Sequence, residues 1–312
     1  MAAFPPPIGS QTTASTAGPS IPFSVQHIVN QLESNTIEEL DLSNKDIGPQ
    51  EIEAIAWALK TNTSLHTLNL SYTFIGDAEA KHIAKALETN SSLKILNLSG
   101  NAIDDVGAKA IAKALETNTS LHTLILNNTG ISSVGAEHIA KALETNTSLS
   151  SLNLSHNSIR TVGAEHFAKA LNTNTSLSTL NLSANSISTV GAEHIAKALN
   201  TNTSLSSLNL SCNSIGDAGA EHFANTLKTN TSLHTLNLSN NPIGDEGAKA
   251  IEEALQVNGA LTTLEISGIV HFDGVYICPA TKAAIKTALE RNQNNAAQHA
   301  SSLVYSLLLA RV

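Results

Sequence analysis

A leucine that returns every 28 residues constrains this chain more than any other feature. Leu65, Leu93, Leu121, Leu149, Leu177, Leu205, Leu233 and Leu261 stand in one phase, and Ile37 holds it one unit earlier. A fixed period of this length is the signature of a solenoid, in which no unit can bury its apolar face alone. A length of 312 residues would otherwise suggest two globular domains, and the repeat overrides that expectation.

Each unit reads L-x-x-L-x-L-S-x-N-x-I-x-x-x-G-A-x-x-I-A-K-A-L-x-T-N-T-S. Its first part alternates, as in Leu152-Asn153-Leu154, which predicts a short strand. Its second part spaces apolar residues at helical intervals, as in Ala136, Ile139, Ala140 and Leu143, which predicts an amphipathic helix. Glu137/Lys141, Glu165/Lys169 and Glu193/Lys197 sit four apart in the favourable order on that helix. Gly107, Gly135 and Gly163 punctuate the units ahead of the helix, and the polar T-N-T-S closes each with a turn. Strands stack at about 4.8 Å and helices at about 10 Å, so the pile must bend with its strands inside. The expected architecture is an α/β horseshoe with a concave parallel sheet and convex helices.

On these residues the chain resembles the leucine-rich repeat family, in its ribonuclease-inhibitor-like class of 28-residue units. The resemblance implies nine units over 37–292 and a buried Asn per unit that serves loop backbone groups. That Asn stands at Asn101, Asn157, Asn185, Asn213 and Asn241; Lys45, Thr73, Thr129 and Ile269 replace it elsewhere, which predicts a discontinuous ladder. Ahead of the units, residues 1–23 are uncharged and rich in Pro, Ser, Thr and Gly, the composition of a disordered leader. Residues 24–36 read as a capping helix, with Val25, Ile28, Val29 and Leu32 on one side. Leu255 to Leu289 spans 34 residues, so GIVHFDGVYICP carries a six-residue insertion that includes Phe272 and Tyr276. The stretch 293–312, apolar at Leu303, Val304, Leu307 and Leu308, is expected to be a C-terminal cap or a docking tail.

Composition narrows the function. Hydrophobic residues make up 41% and aromatics 3%, so the core must come from Leu, Ile, Val and Ala. A net charge of −9 offers no basic stripe for nucleic acid, and no apolar run reaches the ~20 residues of a membrane span. Cys212 and Cys278 are too few for a disulfide framework. N-x-S/T sequons such as Asn62-Thr63-Ser64 recur even where the sheet should pack, and the first residues lack the pattern of a signal peptide. Both favour the cytoplasm, or entry into a host cell without a Sec-type signal.

No enzymatic motif is present: no Walker-type loop, no H-E-x-x-H, no G-x-S-x-G. His82, His138, His166, His194 and His222 share one helix position, but helices about 10 Å apart cannot bring two imidazoles to one zinc ion. No cofactor or metal is expected. The outward strand positions are mostly small and polar, such as Thr179, Asn181 and Ser183, while binding energy concentrates in aromatic, Arg and apolar anchors. The departures from that background lie in the first half. Ile95 and Ile125 replace Thr/Ser and Asn, and His66, Tyr72, Phe74, Lys94, His122, His156 and Arg160 lie near the same strands or in the loops after them. These nine are the candidate partner-binding residues.

The expectation is a monomeric, non-enzymatic scaffold that binds a protein through its concave face. Near-identical units behind a polar leader also resemble the repeat effectors of intracellular bacteria, which implies action inside a host. The alternatives are a regulator of a small GTPase, by resemblance to the Ran GTPase-activating protein family with Arg160 as the rim arginine, or an architectural protein without a dedicated partner.

Overall fold

The computed structural model describes residues 25–267 and 277–309, side chains at 299 and 301–309 excepted. The expected leader 1–23, the substitution Ile269, the insertion residues Phe272 and Tyr276, and the side chains of Leu303, Val304, Leu307 and Leu308 lie outside the described residues. The chain begins with α1 (Gln26–Glu33) and then alternates strand and helix: β1 (Glu39–Asp41), α2 (Pro49–Leu59), β2 (Thr67–Asn69), α3 (Asp77–Leu87), β3 (Ile95–Asn97), α4 (Asp105–Leu115). It continues with β4 (Thr123–Ile125), α5 (Ser133–Leu143), β5 (Ser151–Asn153), α6 (Arg160–Leu171), β6 (Thr179–Asn181), α7 (Ser188–Leu199), β7 (Ser207–Asn209), α8 (Asp217–Leu227), β8 (Thr235–Asn237), α9 (Asp245–Leu255), β9 (Thr263–Glu265) and α10 (Pro279–Leu309). The nine strands form one parallel sheet in sequence order, each residue paired with the one 28 positions on, as Leu68 with Leu96. Through the regular units each helix packs on the next, giving the horseshoe of concave sheet and convex helices.

One continuous core runs between the two layers, built from Leu65, Leu68, Leu70, Ile75, Ile83 and Leu87 and their copies in later units. Phe167 and Phe223 take the Ile83 position in their units and are fully buried. Valine contributes less than its composition suggests. Val25 and Val29 are buried, but Val106, Val134, Val162 and Val190 are half exposed at the helix starts. Of the three helical pairs read from the sequence, Lys169–Glu165 (2.8 Å) and Lys197–Glu193 (2.5 Å) form. Glu137 turns instead toward His166 on α6, at 3.8 Å.

Three inter-unit ladders of hydrogen bonds hold the register. The first lies in the closing turn, where the sequence predicts only a polar T-N-T-S. Asn62, Asn90, Asn118, Asn146, Asn174, Asn202, Asn230 and Asn258, at the asparagine position of the T-N-T-S turn, are buried. Asn146 shows the pattern: its Nδ2 donates to Leu115 O (2.8 Å) and Asn118 O (3.0 Å), while its Oδ1 accepts from Ser148 N (3.1 Å) and Leu149 N (2.8 Å). One amide thus satisfies backbone groups of two units that no helix or strand could reach.

The second ladder is the expected one at Asn101, Asn157, Asn185, Asn213 and Asn241, and its discontinuity is only partial. Asn101 Nδ2 donates to Leu70 O (2.8 Å) and Leu98 O (3.0 Å). Where threonine replaces it, the hydroxyl keeps the local bond: Thr73 Oγ1 to Leu70 O at 2.7 Å and Thr129 Oγ1 to Leu126 O at 2.9 Å. Threonine is too short to add the bond to the preceding unit.

The third ladder is made by aspartates in the first helical turn. Asp105 Oδ1 accepts from Ser132 N (2.8 Å) and Gly135 N (2.8 Å), capping the helix of the following unit. Asp77 and Asp217 do the same for α4 and α9. This explains the glycine that the sequence placed ahead of the helix. Gly135 lies inside the first turn, and a Cβ there would stand 2.6 Å from Asp105 Oδ1 and 2.9 Å from Ile131 Cγ2. It is a close-packing residue rather than a loop residue. Ser133 and Thr161 replace the aspartate before α6 and α7, and those two helices start one residue earlier with helical N-caps.

At the far end α10 runs without a break past residue 292. Arg291 Nη2 donates to Leu255 O (2.6 Å) and Asn258 O (3.0 Å). Asn292 Nδ2 donates to Asn258 O (3.0 Å) and Leu261 O (2.8 Å), and Gln293 Nε2 to Thr262 O (2.7 Å). Three successive side chains thereby close carbonyls that a further unit would have served.

Candidate functional site

The concave surface is set by a small device at the start of each strand. His66 N (2.7 Å) and Thr67 N (3.2 Å) both donate to Glu38 O, and Lys94 N (2.8 Å) and Ile95 N (2.9 Å) both donate to His66 O. Two successive amides on one carbonyl leave two successive residues between the buried Leu65 and Leu68, so both stay off the core. His66, Lys94 and His122 therefore form a row on adjacent strands, with Ile95 beside Lys94. His122 is fixed by its ring Nδ1, 2.6 Å from Ser120 O.

The outward asparagines are structural as well as polar. Asn153, Asn181 and Asn209 each accept the N–H of the serine two residues on at 3.0 Å, ending the strand in an Asx turn. Ile125 occupies that position in β4 and gives the bond up. Ile95 is 37% exposed between Thr67 and Thr123. The two isoleucines are diagonal neighbours across β3 and β4, because Ile95 pairs with Thr123 and Asn97 with Ile125.

Beyond the strands each of the eight units from residue 44 to residue 240 turns through one residue with positive φ. Asn44, Gly100, Asn128 and Asn240 stand there, types that tolerate the left-handed region. His156 (φ 55°) is of a type enriched in this region, whereas Tyr72 (φ 55°), Ala184 (φ 52°) and Cys212 (φ 58°) adopt it without that tolerance. Phe74 (φ 61°) and Arg160 (φ 58°) do so at neighbouring loop positions. Such strain is of order 1–2 kcal/mol per residue and persists where the surroundings impose it. Phe74 is 80% exposed, and Gly130, Ser186 and Ser214 turn with positive φ at the same repeat position, so the loop imposes the conformation and no packing of the ring holds it. Tyr72 is half exposed and its ring lies over Gly100, where a Cβ would come within 2.2 Å of Cε1. Glycine at 100 therefore makes the seat for Tyr72.

The nine sequence-predicted residues thus divide. Tyr72, Phe74, His156 and Arg160 lie on the rim at the C-terminal strand ends, in loops three strands or about 14 Å apart. His66, Lys94 and His122 lie at the opposite ends, about 20 Å along the strand from that rim. Ile95 and Ile125 stand on the sheet between the two groups. Arg160 is also not a free loop residue. It opens α6, where the aspartate cap is missing, and its N–H donates to Asn185 O at 2.9 Å.

Among the described residues no group of three or more His, Cys, Asp or Glu could hold a metal ion. Two of the convex histidines meet glutamates of the preceding helix, His166 at 3.8 Å from Glu137 and His222 at 3.6 Å from Glu193. Both cysteines are free, and hydrogen bonds from Thr281 hold the Cys278 thiol below its usual range. No described helix is long and apolar enough to cross a membrane.

Sequence reasoning missed Trp57, which is 42% exposed on the convex side of α2 with Lys60 Nζ 4.4 Å from its ring centroid. The signal was present. Trp57 holds the position that Lys85, Lys113, Lys141, Lys169 and Lys197 hold in the next five units.

Residues 22–130 match the family described as the TMOD/LMOD Leucine-rich domain. Residues 145–168, 173–196, 201–224 and 229–251 match the family described as Leucine Rich repeat. Among solved structures the chain is similar to leiomodin-1 actin-binding site 2, with 22% identity over 56% of this chain and 96% of that one at a TM-score of 0.49. It is also similar to the tropomodulin C-terminal domain of Caenorhabditis elegans, with 20% identity over 47% of this chain and 90% of that one at a TM-score of 0.42. No curated protein matches the chain.

Proposed function

Because the chain is a leucine-rich repeat protein, we propose that it is a monomeric, non-enzymatic scaffold that takes a protein partner on the first half of its concave face and the adjoining rim. One observation carries this reading: Phe74, held at φ 61° and 80% exposed, beside Tyr72 at φ 55°. Two strained aromatics presented to solvent are costly to the fold and suited to anchoring a partner. Ile95 and Ile125 extend the apolar surface onto the sheet. His66, Lys94 and His122 supply a polar border on one side, and His156 and Arg160 continue the rim on the other.

The test is quantitative capture from native and host-cell lysates, comparing wild type with Ile95→Glu/Ile125→Glu and with Phe74→Gly. The reading expects a specific protein to be depleted about tenfold or more by either variant while thermal unfolding stays cooperative. Unchanged capture in both variants contradicts it, and recovery of no specific protein favours an architectural role.

The finer reading is action as an effector delivered into a host cell, which rests on near-identical units behind a polar leader. Regulation of a small GTPase is the second reading, favoured by the exposed Arg160 on the rim. It requires Arg160→Ala to abolish stimulated GTP hydrolysis; unaltered hydrolysis removes it.

A further inference from the structure

The convex face divides into two electrostatic halves. From α5 onward one helical row carries Glu137, Glu165, Glu193 and Glu221, and lysines follow four residues later on α5, α6 and α7. On α3 and α4 both rows are lysine: Lys81 with Lys85, and Lys109 with Lys113. Like charges at this spacing destabilise a helix. No ion pair relieves them among the described residues, whereas Lys169, Lys197 and Lys249 are each paired on their own helices.

Between α2 and α3 the same face opens into a groove of about 450 Å³. Trp57 forms its apolar wall, Lys60, Lys81, His82 and Lys85 line it, and Glu53 is its one carboxylate. Lys60 covers one side of the indole at 4.4 Å, and the ring remains 42% exposed. An aromatic anchor bordered by lysines that form no ion pair among the described residues is a local concentration of positive charge on a chain of net charge −9.

We propose that this groove and the lysines of α4 bind an acidic segment of a protein partner, with one bulky apolar side chain of that segment against Trp57. The footprint spans α2 to α4, two inter-helix spacings or about 20 Å, which suits a short peptide. Charge complementarity selects the acidic class, and the flanking glutamates of α5 to α8 confine the ligand to this half. Those glutamates would repel a long polyanion or an anionic bilayer, which would overrun the patch. The site is independent of the concave face and does not rest on the reading given to it.

Trp57 is the sole tryptophan, so its emission reports the groove directly. The probe is a ten-residue glutamate peptide with one central phenylalanine, titrated into the full chain. We expect a saturable emission change that weakens about tenfold between 20 and 200 mM salt. Lys81→Glu/Lys85→Glu should weaken it about tenfold or abolish it, and Lys141→Glu, in the same row on α5, should leave it unchanged. Circular dichroism melts confirm that each variant is folded. Any one of three results overturns the proposal: no saturable change with wild type, equal binding of a lysine peptide of the same design, or tighter binding of a DNA oligonucleotide or of phosphatidylserine vesicles.

Discussion

Phe74 and Gly100 show how single residues trade stability for a surface. Phe74 occupies the left-handed region with its ring in water, so Phe74→Gly relieves strain. That variant is expected to gain on the order of 0.5–1 kcal/mol by chemical denaturation while losing the partner. A loss of stability would show that the ring is packed and serves the fold. Gly100→Ala is the converse, because it meets both a φ of 64° and the Tyr72 ring. It should cost about 1–2 kcal/mol and displace Tyr72. Two asparagines that look alike in the sequence should also separate. Asn146→Ala strips four buried partners at once and should cost about 3 kcal/mol, while Asn153→Ala, with one turn bond on the open face, should cost about 1 kcal/mol. Both positions recur as Asn through most of the units; only the fold shows which one faces inward.

At the scale of the element, α4, α5, α9 and α10 each depend on the helix before them through the aspartate ladder. Burial pushes the Asp105 carboxyl up, but the Ser132 hydroxyl and the Ser132 and Gly135 amides outweigh it, so its pKa lies below the ordinary range. A carboxylate of this kind contributes stability above its unfolded pKa of about 4, and that stability is lost as pH falls through the folded value. Asp105→Asn should therefore cost about 1 kcal/mol at pH 7, with the difference from wild type shrinking toward zero as pH drops below about 4. A difference independent of pH would assign the cost to packing. Strands and helices were legible because Leu65, Leu68 and Leu70, then Ile83 and Leu87, repeat the two periods without a slip. The aspartates were not, since an Asp in the first turn of its own helix looks like a local dipole effect. Its partners lie 27 and 30 residues ahead. The conformation of Arg160 was equally hidden, and it recurs at Ser188 in the next unit, each following a unit that lacks the aspartate.

For the whole molecule, stability is a sum of units and nearest-neighbour interfaces, so the ends fray first unless they are closed. Arg291, Asn292 and Gln293 do this at the C-terminal end. Arg291→Ala/Asn292→Ala should raise hydrogen exchange in β9 and α9 while leaving β4 to β6 protected. Uniform loss of protection would mean that the stack opens as one cooperative body. The period made the solenoid readable from sequence but said little of its surfaces, because a periodic core leaves outward residues free to vary. The structure sorts the deviations from the repeat into a strained aromatic rim, a histidine–lysine row and a convex lysine face. Site-specific photo-crosslinking tests the rim assignment. A photoreactive residue replaces Phe74 in one protein and, as a control, Ser214 in another, the same loop position five units further on with the same sign of φ. The concave-rim assignment predicts a specific adduct from residue 74 and none from residue 214; equal adducts at both, or adducts at 214 alone, would contradict it.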